Sequence, residues 1–203
     1  MGFYQDRILP HLVHLSMRQN TFSAYRRRLV PTAHGRVLEV GIGSGLNLPL
    51  YTTAAQRVVG LDTSRRLLSM ARQVINAEIP TELIEGSAEA LPMEDGSLDT
   101  VVTTWTLCTI PDVVGALQEM RRVLKPSGEL LFIEHGLSPD PAVRRWQDRL
   151  TPVWKRIGGG CHLNRPIRKL LEETGFRIER IETGYMRGPK AVTFMYEGVA
   201  RPL

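Results

Sequence analysis

The sequence predicts an α/β fold, a mostly parallel sheet with helices on both faces. Three observations carry this. Short apolar, β-branched runs alternate with helix-period segments from residue 36 to about residue 135. A glycine loop, Gly41-Ile42-Gly43-Ser44-Gly45, directly follows the first of those runs. Beyond residue 175, two strand-like runs share a short connection, which is how antiparallel neighbours are joined.

The elements follow in order. Residues 7–29 read as helical with a break near Pro10, and Leu12, Leu15, Phe22, Tyr25 and Leu29 share one apolar stripe. Arg36–Val40 is a strand leading into the glycine loop, and Arg57–Asp62 is a second buried-type strand. Thr63 or Ser64 caps a helix in which Leu67, Leu68, Met70, Ala71, Val74 and Ile75 recur at helical spacing. Glu82–Glu85 is a short strand, and another runs from Asp99 into "TTW". Asp112 caps a helix with Val113, Ala116, Leu117, Met120, Val123 and Leu124 inward, stopped by Lys125–Gly128. A fifth strand starts at Glu129. Residues 139–164 read as less regular, 166–174 as a short helix stopped by Gly175, and the last two runs as the antiparallel pair.

Composition bounds the function. The chain has 203 residues, 42% hydrophobic and 23% charged, so it can bury a real core as a single domain. No apolar run reaches bilayer-spanning length, no signal peptide is read at the start, and two cysteines make no disulfide framework. A reduced, cytoplasmic protein is expected. Net charge is +5, with an acidic middle between two basic ends: residues 1–36 hold six Arg and one Asp. That balance suits solvated helix faces, or a basic cap over a site that receives an anionic acceptor or touches a membrane surface. No finger, RNP-like or helix-turn-helix signal accompanies it, so nucleic acid is not expected as a partner.

In open α/β sheets a ligand sits at the carboxyl ends of the strands. The glycine loop lets it approach bare backbone, and Asp62 stands where an acid binds ribose hydroxyls. Two ligand classes compete. NAD calls for G-x-G-x-x-G, but here the third glycine falls one residue early. S-adenosylmethionine, with ribose, adenine and an amino acid but no phosphate, is the other.

The order "VLEVGIGSG", "VVGLD", "EGSAEALPMEDGSLDTVV", "RRVLKPSGELLFIEHG" resembles the class I S-adenosylmethionine-dependent methyltransferases of the type 11 kind, over about residues 36–135. The resemblance implies a Rossmann-like seven-stranded sheet whose last strand runs antiparallel. It also implies S-adenosylmethionine as cofactor and S-adenosylhomocysteine as product. By it, Glu39, Gly41, Gly43 and Gly45 line the methionine end, and Asp62 binds the ribose. Ala88 and Glu89 neighbour the adenine, and Thr104 to Leu107, Trp105 included, lie beside the sulfonium. Val40, Ile42, Asn47, Thr63 and Ser87 complete the cofactor set. Ser87 stands where many relatives carry Asp, and it offers the adenine amine a hydrogen bond without charge assistance. Glu39 also stands out alone, since a carboxylate in an apolar strand needs a partner; the loop's backbone donors or the cofactor's cation are the expected ones.

The acceptor is selected by the less standard parts: an N-terminal helical cap (1–30) and an acceptor-side segment (136–203) flanking the cofactor core (36–135). "LCTIPD", "FIEHG" and "GGGCHLNRP" resemble bacterial relatives of the microsomal alkyl-thiol methyltransferases, without an N-terminal membrane anchor. The resemblance implies a small thiol or hydrogen sulfide as acceptor. The alternatives are a phospholipid head-group amine or a quinone-type ring, with the basic N-terminal helix touching a membrane. A non-enzymatic cofactor-binding protein is the reading from another class. His135 and Cys108 are the candidate catalytic residues; Cys108 also suits ordinary core filling. Tyr4, Trp105, Cys108, His135, Cys161 and His162 are the candidate acceptor contacts. Cys161 and His162 are adjacent, which is poor metal spacing, so no metal is expected. Gly158–Gly160 reads as a flexible connection. Arg144, Arg145, Arg149, Lys155, Arg156, Arg165 and Arg168 read as a solvated helix face.

Overall fold

The computed structural model describes residues 4–203, and the first three residues of the expected cap lie outside it. One sheet of seven strands runs through the chain, in the order β3-β2-β1-β4-β5-β7-β6. The strands are β1 (Gly35–Val40), β2 (Ala55–Asp62), β3 (Thr81–Glu85), β4 (Leu98–Thr104), β5 (Leu124–His135), β6 (Phe176–Tyr185) and β7 (Phe194–Pro202). β1 to β5 pair in parallel, and β7 runs antiparallel between β5 and β6. The sheet therefore matches the expected fold class, including the reversed last strand.

Successive residues of a strand face opposite sides, so a sheet buried on both faces needs apolar residues at consecutive positions. In β1, Val37 packs on one face with Leu68 and Leu29, while Leu38 and Val40 pack on the other with Leu117, Met120 and Leu171. The first face is covered by α2 (Asn20–Leu29) and α3 (Arg65–Ala71), the second by α4 (Val113–Val123) and α6 (Ile167–Glu173). Ser64 caps α3 by accepting from the Leu67 N–H at 3.3 Å, and Asp112 caps α4 by accepting from Gly115 at 3.0 Å. All six residues expected to face inward from the α4 segment are buried, although Leu124 already belongs to β5.

Five expectations are corrected. The N-terminal helix breaks at Arg18–Gln19, between α1 (Leu9–Met17) and α2, rather than at Pro10. Pro10 lies in the first turn of α1, where a missing N–H costs nothing. The break also splits the expected stripe: Leu29 is buried, but Leu12 and Leu15 face outward at 49% and 68% exposure. α3 ends at Ala71, one tight turn follows, and Val74 and Ile75 are exposed. Lys125–Gly128 does not stop the chain before a later strand, because β5 already begins at Leu124.

The fourth correction is the largest. Residues 139–164 hold α5 (Pro141–Ile157), a 17-residue helix. Asp140 caps it, accepting from Ala142 at 2.8 Å, with Pro141 at its first position. Pro152 lies inside α5 and is exposed. Arg165, read as part of a solvated face, is buried and donates to the Ile110 carbonyl.

Where β6 bulges between Ile178 and Arg180, the Arg180 carbonyl crosses Gly198 of β7; a Cβ there would lie 2.1 Å from that oxygen and 2.7 Å from the Phe132 ring. Backbone cannot step aside as a side chain can. Gly198→Ala is expected to destabilise the fold by about 1–3 kcal/mol in urea melts. An unchanged midpoint would show that the bulge relaxes freely.

Candidate functional site

A cavity of about 590 Å³ opens at the carboxyl ends of β1, β2 and β4. Its lining includes thirteen of the fifteen residues expected to hold the cofactor: Glu39, Val40, Gly41, Ile42, Gly43, Asn47, Asp62, Thr63, Ser87, Ala88, Glu89, Thr104 and Trp105. Gly45 and Leu107 are not part of the lining. A Cβ on Gly45 would meet Val74, Leu48 and Ala71 behind the loop, and Leu107 is fully buried in the core beside α4.

The loop is bound to the next strand by Asp62. One oxygen accepts from the Gly43 N–H at 2.9 Å and the other from Ser64 at 2.8 Å. Gly41, Gly43 and Gly45 all have positive φ, the conformation glycine adopts without steric cost. A Cβ on Gly41 would also lie 2.2 Å from Thr106. Burial raises the Asp62 pKa, opposed by the Ser64 and Gly43 hydrogen bonds.

Glu39 is 1% exposed. Its partners are not the loop's backbone donors. Asn47 Nδ2 donates to one oxygen at 2.8 Å and the Tyr51 hydroxyl to the other at 2.7 Å. Asn47 Nδ2 also reaches Thr104 Oγ1 at 3.2 Å. Burial lifts Glu39 to about 7, against the pull of Tyr51, Asn47 and nearby Arg26.

Arg26 is the residue that sequence reasoning missed. It comes from α2, lines the cavity, and is 4% exposed. Its Nη1 donates to the Met17 carbonyl at 2.8 Å, and the guanidinium lies 4.8 Å from the centre of the Trp105 ring. Burial lowers its pKa to about 10, which leaves it charged at neutral pH. A sequence signal existed: Phe22, Arg26 and Leu29 share the i, i+4, i+7 stripe of α2, so one arginine of the run Arg26–Arg28 points inward. His14, also missed, lines the cavity from α1 and holds Ser44 Oγ at 2.6 Å through Nδ1.

Two buried polar atoms in this cluster lack a partner, the Arg26 Nε donor and the Asn47 Oδ1 acceptor. Unmet donors and acceptors are rare in native interiors. A carboxylate suits the first and an ammonium the second, so an amino-acid terminus beside Glu39 would satisfy both. A third orphan is the Trp105 indole N–H. Among the described residues Trp105 is the only non-glycine with positive φ, at 51°, a strained conformation that often marks a functional site.

The acceptor candidates divide. Trp105 lines the cavity. Tyr4 is not part of its lining; its hydroxyl donates to the Ile157 carbonyl at 2.9 Å and ties the N-terminus to the end of α5. Cys108, His135 and Cys161 lie together outside the lining, where Thr109, Gly158 and Gly159 form the wall. His162 stands apart from them, its Nδ1 3.1 Å from the Cys108 carbonyl.

Glu39 makes a checkable statement about pH. Its folded pKa of about 7 lies above the ordinary carboxylate value of 4.5, so the folded state holds that proton more tightly. The group's contribution is complete below the lower value and is lost as pH rises through the higher one. Glu134, fully buried and also lifted to about 7, acts in the same direction. Ligand-free protein should lose stability between about pH 5 and 7, with Glu39 supplying on the order of 2–3 kcal/mol. Glu39→Gln should flatten the slope in urea melts; an unaltered slope would refute the assignment.

Residues 38–132 match the family model described as a methyltransferase domain. Thiol S-methyltransferase TMT1B of Homo sapiens is 32% identical over 172 residues, 82% of this chain and 70% of that protein. Phosphatidylethanolamine N-methyltransferase of Cereibacter sphaeroides is 38% identical over 104 residues, 50% of this chain and 51% of that one. The crystal structure of an S-adenosylmethionine-dependent methyltransferase from Mesorhizobium loti is similar at a TM-score of 0.67 and 20% identity, covering 91% of this chain and 98% of that one. At that identity the likeness speaks for the fold alone. With the family model on the sheet core and a relative aligned well beyond it, the chain belongs to the S-adenosylmethionine-dependent methyltransferases.

Proposed function

We propose that this methyltransferase acts on a small thiol, hydrogen sulfide or a short alkyl thiol. The observation that carries the reading is the extent of the thiol S-methyltransferase match. It covers 82% of the chain, against 50% for the phospholipid enzyme, so it takes in segments outside the shared core. The chemistry of the cavity wall agrees. Beyond the cofactor candidates, α1 and the loop after β4 contribute Leu9, Val13, Met17, Thr109, Ile110 and Pro111, none of them charged. Such a wall suits a small, weakly polar acceptor.

S-adenosylmethionine, when bound, supplies a methyl group on a sulfonium whose leaving group is a neutral thioether, so no acid is needed. The residues then have to bind, align and exclude water. Arg26 and Asn47 would hold the amino-acid end, Asp62 the ribose, and Ser87, Ala88 and Glu89 the base. A thiol ionises far more readily than an alcohol, so the chain needs no strong base of its own.

An acceptor screen reading S-adenosylhomocysteine release is the direct test. Turnover with sulfide or a short alkyl thiol is expected; release with amines or quinols and none with thiols would overturn the acceptor. Cofactor binding is tested separately. Arg26→Gln should weaken S-adenosylhomocysteine binding about 10- to 100-fold in calorimetry, the worth of one charge-assisted hydrogen bond. Asp62→Ala should abolish measurable binding. Retained affinity in either variant would move the cofactor elsewhere.

A second reading has its own observation. α5 exposes Trp146, Leu150, Val153 and Ile157 along one stripe, with Arg145, Arg149 and Arg156 exposed on the same helix. Ile8, just before α1, and Leu12 and Leu15 within it are exposed at the same spacing. Amphipathic faces of this kind seat helices in anionic lipid interfaces, which favours a membrane-borne acceptor, a head-group amine or a quinone-type ring. Co-sedimentation with anionic liposomes together with head-group or quinol methylation would establish it; protein left in the supernatant would remove it.

A further inference from the structure

Two thiols and an imidazole converge behind the cavity wall. Cys108 comes from the loop after β4, His135 ends β5, and Cys161 follows the glycine turn after α5. One ligand atom of each lies within 4.8 Å of the others, and His135 Nε2 is 3.1 Å from Cys161 Sγ. All three are buried, beneath Leu163 and Val192.

Each is held by its own backbone contacts. The His162 N–H donates to the Cys108 carbonyl at 2.8 Å, and the Cys161 N–H to Gly158 at 3.2 Å. His135 is fixed in the ladder opposite Met195 of β7. Within the cluster the three groups are one another's partners, Cys161 pairing with both Cys108 and His135 and also reaching Trp154. The Cys108 thiol also reaches the Trp105 carbonyl at 3.6 Å, and the partner of the imidazole is a sulfur, a weak acceptor and donor.

We propose that Cys108, His135 and Cys161 bind a thiophilic d10 cation, with Zn²⁺ the ion that fits best. Two sulfurs and one imidazole nitrogen are soft-to-borderline donors that select zinc over magnesium or calcium. Zinc bonds of about 2.3 Å to sulfur and 2.0–2.1 Å to nitrogen put tetrahedral ligand atoms about 3.5–3.8 Å apart. The separations here, 3.1 Å for one pair and no more than 4.8 Å for any, bracket that range, so small side-chain rotations close the site. Charge also balances. Binding expels the two thiol protons, and two thiolates then neutralise one Zn²⁺ within the buried setting. The charged side chains felt by Cys108, Glu134 and Arg165, are of opposite sign.

Sequence spacing pointed away from this, because it paired Cys161 with His162. The fold instead turns His162 onto a backbone carbonyl and supplies Cys108 and His135 from other strands' ends.

Three protein ligands leave a fourth tetrahedral position, the pattern of zinc sites that touch a reactant. Chain neighbours of the cluster line the cavity, Thr109 next to Cys108 and Gly159 two residues before Cys161. Resting on the thiol reading, the open position takes the acceptor's sulfur as thiolate; the acceptor's proton goes to solvent, and no protein base is used.

The full-length protein, stripped of metal under reductant and then given Zn²⁺, should retain one zinc per chain after dialysis. With Co²⁺ it should develop sulfur-to-cobalt charge-transfer absorption and tetrahedral d–d bands. Cys161→Ser and, separately, His135→Gln should cut retained zinc to below about a tenth per chain and lose or shift the bands. S-adenosylhomocysteine binding serves as the folding control, since neither residue lines the cavity. Sub-stoichiometric zinc in the parent protein, or cobalt bands untouched in both folded variants, would overturn the site. Adding ethanethiol to the cobalt form should shift the d–d bands. A full metal site whose bands ignore the thiol would overturn the open-position role alone. Stoichiometric metal without thiol turnover would instead overturn the acceptor reading and leave the metal site standing.

Discussion

A carboxyl group buried near the end of β1 organises the site. Glu39 sits where β1 delivers the chain to the glycine loop, and leaving it unpartnered would cost several kcal/mol. The structure answers with two hydrogen-bond donors and one nearby positive charge. Asn47 and Tyr51 come from the segment just past the loop, and Arg26 brings its charge from the cap. The loop's return path is thus set by the need to bring Asn47 and Tyr51 back over β1. The cap is similarly committed, because Arg26 reaches the cavity only when α2 packs on the sheet face that holds Leu29 and Val37.

The same arrangement explains how a protein of this size forms a cavity without collapsing it. The polar cluster is satisfied internally except at the two atoms that face inward, Arg26 Nε and Asn47 Oδ1. A site made this way is partly paired before any ligand arrives. Little reorganisation is then needed on binding, which is the physical content of preorganisation. Asp62 does comparable work on the other side, since its two backbone contacts hold the glycine loop in position.

Much of this was legible in the residue pattern. Alternating strands and helices gave the parallel sheet, and the short final connection gave the reversed β7, because both rest on local periodicity. Asp112 and Ser64 were recognisable as caps for the same reason. α5 was not read, although Asp140-Pro141 is a cap followed by a first-turn proline. Its outward residues are apolar and Pro152 interrupts it, so no core-facing stripe announces a helix. Arg26 was obscured by its two exposed neighbours in "RRR". The meeting of Cys108, His135 and Cys161 is a tertiary fact, since no spacing rule connects a loop, a strand end and a turn that far apart in sequence. Tyr4 shows the opposite failure: an aromatic expected over the ligand instead fastens the N-terminus to α5.

Trp105 links these parts mechanically. Phe22 meets its ring edge-on at 5.1 Å and Tyr25 at 6.2 Å, while its backbone is held left-handed. A torsion that costs on the order of 1–3 kcal/mol is held by β5, whose Ile133 carbonyl accepts from the Trp105 N–H at 2.7 Å, while side chains of a separate helix pack the ring. The consequence is a division of labour: lifting α2 off the sheet would bare the indole, while the bend beneath it stays tied to β5, so the ring can be uncovered without losing the shape of the turn that carries it.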